Sequence, residues 1–137
     1  FDLWGVQLEA GSVATAFERP STADQLARCQ RYYYQSGPYV AGGFQYALGI
    51  NSSATVAVFL MPFPVTMRAN PLLTTTGVAA NYAILGIACS VVPGASGAMP
   101  DRMMVNGTVA AGLTAGAISQ LNTNSSAASF LGFSAEL

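Results

Sequence analysis

The chain of 137 residues contains no histidine and no lysine. Without an imidazole, neither a Ser-His-Asp nor a Cys-His arrangement can form within the chain. The commonest metal ligand is missing for the same reason. The lack of lysine argues against nucleic acid, because phosphate binding draws on clustered Lys and Arg. Only Arg28 and Arg31 stand close together, and Asp24 lies beside them. Carboxylates are scarce too: Asp2, Glu9, Glu18, Asp24, Asp101 and Glu136. Glycoside cleavage needs two acids facing each other across a sugar, and of these six only Asp101 falls inside the main β-rich segment. The expectation is a protein without catalysis, metal or cofactor.

Charge of either sign is almost missing from the body of the chain. Between Tyr32 and Ala135 the charged side chains are Arg68, Asp101 and Arg102, whereas a soluble domain ordinarily has about a quarter of its residues charged. Ser, Thr, Asn and Gln can hydrate part of such a surface. The rest of the apolar surface is expected to be buried between subunits, since monomers rarely expose large contiguous apolar patches. A membrane helix is not expected. The most apolar run, 78–92, includes Asn81, Tyr82 and Ser90 and stops at Pro93, too short for a bilayer. Cys29 and Cys89 are too few for a disulfide framework. The sequence opens at Phe1 without a basic-then-apolar run, so a secretory signal is not expected, and it reads as the C-terminal piece of a longer polypeptide.

Periodicity points to a β protein with one helix. Residues 1–9 alternate as a strand, Gly11-Ser12 turns, and Arg19-Pro20 stops a second short extended piece. Residues 1–20 are therefore read as a terminal strand or arm of a preceding β module, and residues 21–137 as the domain. Ser21 is a good N-cap with Asp24 three residues on, so a helix starts there. Three successive tyrosines prefer extended chain, which ends the helix near Arg28 and starts a strand near Cys29. A strand with a kink at Gly42-Gly43 carries Phe44, Tyr46 and Leu48. The uniformly apolar stretch 55–61 reads as a strand covered on both faces, as do residues 82–92. Residues 93–100 read as a Gly/Ala/Ser/Pro loop. Asn106-Gly107 reads as a type I′ hairpin turn, because that pair supplies positive φ. Strands over 113–121 and 129–137 flank a polar turn at 122–126. The sum is an antiparallel β-sandwich, jelly-roll-like, with one short helix near its start.

Several stretches stand in a specific order: Gly5-Val6-Gln7-Leu8-Glu9, then Ala14-Thr15 and Phe17-Glu18-Arg19-Pro20, then Cys29-Gln30-Arg31-Tyr32-Tyr33. Met67-Arg68-Ala69-Asn70-Pro71 follows, and Ala135-Glu136-Leu137 ends the sequence. This set resembles the distal end of bacteriophage tail-fibre and related fibrous virion proteins. In that family a Gly-Val-Gln-Leu-Glu strand closes one β-rich module and a Cys-Gln-Arg-Tyr-Tyr strand opens the C-terminal one. The resemblance implies a homotrimer, a place in the virion beside other tail proteins, and attachment to a host-surface glycan or protein. It also implies folding in a reducing cytoplasm, where Cys29 and Cys89 stay free thiols and Cys29 is a small buried group. It assigns no functional residues.

Recognition is then the remaining chemistry. A ring face covers the apolar face of a sugar, while Asn, Ser and Gln satisfy hydroxyls without desolvating a charge. The candidate receptor contacts are Tyr34, Tyr39, Phe44, Tyr46, Asn81 and Tyr82, with the loops 93–100 and 122–126 as alternatives. Arg68, alone in a nearly uncharged sheet, is expected to form a buried pair with Glu136 or Glu9. Two other readings fit the composition: a purely structural decoration, collar or baseplate component, and a monomeric carbohydrate-binding module of a bacterial surface enzyme.

Overall fold

The computed structural model describes residues 10–13, 19–37 and 44–136. Most of the arm assigned to residues 1–20 lies outside them, as do Glu9, Tyr39, Gly42-Gly43 and Leu137. The described chain is all-β and antiparallel apart from one α-helix and a single 3-10 turn.

Helix α1 spans Thr22–Gln30 and begins as its sequence dictates. Ser21 Oγ accepts from the Asp24 amide at 3.1 Å and donates to Asp24 Oδ2 at 2.7 Å, so cap and third residue satisfy each other. None of its residues is buried, and Cys29 is exposed. The buried role expected of Cys29 is wrong because the helix runs two residues past Arg28, and strand β1 (Tyr33–Ser36) starts only afterwards.

The strands that follow are β2 (Gln45–Asn51), β3 (Val56–Pro62), β4 (Leu72–Thr75), β5 (Tyr82–Ile84), β6 (Ile87–Met99), β7 (Arg102–Val109), β8 (Ile118–Thr123) and β9 (Leu131–Ser134). Six of them close on themselves in the order β2-β3-β7-β6-β5-β8, and β9 sits between β1 and β4 in a separate three-stranded sheet. The expected all-β, antiparallel class is present; its strands are hydrogen-bonded as a closed barrel with a small sheet beside it, and the expectation had been a jelly-roll-like sandwich.

Two local readings are corrected by the register. Residues 93–100 are not a loop, because β6 continues to Met99 and pairs along β7 with three irregularities that absorb its glycines. Asn106-Gly107 is not a turn either. It runs through the middle of β7, with Asn106 opposite Val58 and Gly107 opposite Ala57. Glycine is needed there for space: a Cβ would stand 2.7 Å from Ile84 Cδ1 and 3.2 Å from Phe59 Cε2. The tight hairpin occurs instead at Leu85-Gly86, between β5 and β6, with φ of 50° and 80°. Residues 82–92 are therefore two strands.

Inward side chains fill the barrel with Phe59, Ile84, Met103, Val105, Val109 and Leu121, all at 0–1% exposure. The small sheet joins this core through Phe133, which lies 4.9 Å from Phe63 and 6.0 Å from Tyr34 between ring centroids. Tyr82 links the two units. Its hydroxyl donates to the Phe130 carbonyl at 2.6 Å and accepts from the Thr76 amide at 3.2 Å. A wholly buried phenol is thereby satisfied.

Candidate functional site

Strand alternation predicts that apolar residues pointing into the barrel leave polar ones pointing out. The β7-β3-β2-β8 side breaks that rule. Outward positions on β2 carry Leu48 and Ile50, β3 carries Val58 and Leu60, β7 carries Met104 and β8 carries Ile118. Register makes them neighbours: Ile50 lies opposite Val58 on one side and Ile118 on the other, and Leu60 lies opposite Met104. Together they line a shallow apolar depression of about 490 Å³.

Exposure is large for these residue types: Ile118 72%, Leu48 60%, Ile50 59%, Leu60 49% and Met104 39%. At roughly 100 Å² apiece they offer on the order of 500 Å² of continuous apolar surface, the upper range for a monomer's largest patch. Its charge is confined to one rim. Arg102, opposite Pro62 and Met99, is held by Asp101 at 3.5 Å with both side chains about half exposed. Elsewhere on β7 and β8 the outward residues are the neutral Asn106, Thr108, Gln120 and Asn122. Stretch 55–61 was expected to be covered on both faces; within one chain its outer face is open.

The expected receptor contacts sit elsewhere and are mostly structural. Phe44, Tyr46 and Tyr82 do come together, with centroids 5.2 and 6.1 Å apart, but as an edge-on and tilted ring cluster leading into the core. Tyr82 is wholly buried, so it presents nothing to a ligand. Burial pushes the Tyr46 hydroxyl up to about 12, with Ser129 pulling it partly back. Ser129 falls short of hydrogen-bond geometry with it, its own proton going to the Ser126 carbonyl at 2.9 Å. Tyr34 is half-buried against Phe133 and Phe63. Asn81 ties loops together, donating to Thr76 Oγ1 at 3.2 Å and accepting from the Asn124 amide at 2.8 Å. Tyr39 lies outside the described residues.

Arg68 is also placed differently from expectation. It is exposed, its guanidinium stands 5.4 Å from the Tyr32 ring centroid, and its amide donates to the Arg31 carbonyl at 2.8 Å. Among the described residues the ion pair is Arg102–Asp101, and Arg68 forms none with Glu136. Glu9 lies outside them. With water available to the guanidinium, no buried counter-charge is required.

The residues of the apolar face were missed individually. Their signal was present in the unbroken apolar run of 55–61, yet which strands would lie beside it was not readable. Among the described residues no group of three His, Cys, Asp or Glu side chains converges, and no helix is long and apolar enough to cross a membrane. Comparison with protein-family models, curated proteins and solved structures finds no match for this chain.

Proposed function

We propose that this chain is the C-terminal module of a phage tail fibre or related virion appendage, without catalysis of its own. It assembles as a homotrimer and attaches the particle to a host-surface receptor, a glycan foremost. The observation that carries the reading is the uncharged apolar face of Leu48, Ile50, Val58, Leu60, Met104 and Ile118. A stable interface needs about 800 Å² per partner. The apolar face supplies the desolvated centre of such an area, and the neutral Asn, Gln and Thr positions around it supply a polar rim. A second copy of the chain suits it because so few ions would need desolvation on either side. The resemblance to fibrous virion proteins supplies the threefold expectation.

Sedimentation equilibrium tests this. The expected species is three times the 14.1 kDa chain, and the double variant Leu60→Ser, Ile118→Ser should fall to a single folded chain. Serine at these outward positions removes apolar contact without opening the core. A wild-type chain that remains a 14.1 kDa particle at high concentration would defeat the reading and favour a monomeric binding module.

A further inference from the structure

The three-stranded sheet has an outer face of different character. Its inner positions, Tyr34, Leu73 and Phe133, pack on the core. The outer ones form two rows in register: Tyr33, Ser134 and Leu72, then Gln35, Gly132 and Thr74. No Asp, Glu, Lys or Arg stands in either row.

Tyr33 does not stand upright in its row. Its hydroxyl donates to Gln35 Oε1 at 2.8 Å, one step along the strand on the same face. It also lies 2.8 Å from where a Cβ on Gly132 would stand, and Thr74 Oγ1 closes on that point from the other side. The ring is therefore laid across the sheet over a glycine that leaves room for it. Gln35 Nε2 donates to the Gly37 carbonyl at 2.8 Å, which fixes the amide so that its oxygen meets the phenol. Tyr33 remains 42% exposed, and Leu72, two strands across in the same row, is 72% exposed.

We infer that this face binds an uncharged saccharide, stacked on the Tyr33 ring and oriented by Gln35, Thr74 and Ser134. A held aromatic plane with neutral acceptors and hydroxyls at its edge is the chemistry a pyranose needs. Its C–H face covers the ring, and its hydroxyls find partners that carry no charge to desolvate. The ring's geometry is set before the ligand arrives, which lowers the ordering cost of binding. A neutral ligand is favoured over an anionic one, because neither row carries a cation to pair with an anion. The inference rests on the attachment half of the proposed function and is independent of its oligomer half.

Saturation-transfer NMR on the full chain, with maltotetraose, galactobiose and chitotriose as neutral probes and sialyllactose as the anionic one, tests it. At least one neutral probe should receive saturation, strongest at the C–H protons of one sugar face. Tyr33→Ala should weaken that binding about tenfold or more, and Tyr33→Phe, which keeps the ring but releases Gln35, should weaken it less. Leu60→Ser should leave it unchanged. No transfer to any neutral probe overturns the inference. So does equal transfer in Tyr33→Ala with an unchanged melting temperature, or a preference for sialyllactose. If the wild-type mass is that of one chain while the sugar still binds through Tyr33, the oligomer reading fails and this one stands.

Discussion

At Gly49 an added Cβ would run into the Val58 carbonyl and stand 2.6 Å from Phe59 Cδ1. Both obstacles are anchored, one as backbone and the other as a wholly buried ring, so Gly49→Ala forces β2 and β3 apart. At Gly97 the corresponding atom meets Met104 Cε at 2.8 Å, the far end of a flexible side chain that is partly exposed. Overpacking costs about 1–3 kcal/mol and sometimes more. Urea unfolding should therefore show a loss of about 3 kcal/mol for Gly49→Ala and under about 1 for Gly97→Ala. Similar losses at the two positions would mean that backbone clash does not decide the outcome. Two buried acids add a pH signature. Burial lifts the Cys89 thiol to about 11 and the Tyr46 phenol to about 12, from ordinary values of 9.0 and 10.0. The unfolded chain then releases protons before the folded one, so stability is complete below pH 9 and declines as pH rises towards 12. With no histidine, melting temperature should be flat between about pH 5 and 8. A slope in that range would point to a titrating group beyond these two.

Among the elements, the β5–β6 hairpin is the clearest case of local chemistry yielding to distant packing. Its two-residue turn requires positive φ at both positions, and Leu85 meets that requirement at 50° although it is 51% exposed and gains little from packing. A left-handed L-residue costs roughly 1–2 kcal/mol, and Asn tolerates the conformation better. Leu85→Asn should raise stability by about 0.5–1 kcal/mol in denaturant titration; a loss would show that Leu85 is held by contacts outside the single chain. Helix α1 was legible from Ser21 and Asp24 alone, because capping acts within four residues. Asn106-Gly107 was misleading for the converse reason. Its dipeptide signals a turn, but Phe59 and Ile84, 48 and 23 residues back in the chain, occupy the space that makes the glycine necessary.

For the whole molecule, the decisive property is how little charge any assembly would have to bury. Surface ion pairs weaken as salt screens them, with a Debye length near 10 Å at 0.1 M. Contact through the β7-β3-β2-β8 face has only the Arg102–Asp101 pair at its rim. The dissociation constant of the proposed oligomer should therefore change less than about threefold between about 0.05 and 0.5 M NaCl. A steep weakening with salt would shift the interface away from this face and towards the residues around α1, where Asp24, Arg28 and Arg31 lie. Among the described residues the barrel leaves no free edges of its own, while β1 and β4 are the outer strands of the small sheet. The proposed self-association through the barrel would thus be a matter of side-chain faces, not of strand addition.

The sequence alone determined the β-rich class, the capped helix, the scarcity of ions and the lack of histidine and lysine. These follow from composition and from patterns spanning a few residues. It also marked 55–61 as a mainly apolar run, though not which of its faces would be covered. Only the tertiary structure decided that six strands close into a barrel, that Tyr82 and Tyr46 turn inward while Tyr33 lies flat outside, and that Leu48, Ile50, Leu60, Met104 and Ile118 meet on one surface. Strand order and register come from contacts between residues far apart in the chain. A shift of one residue in any pairing exchanges the inner and outer faces, and no local pattern records which partner will supply it.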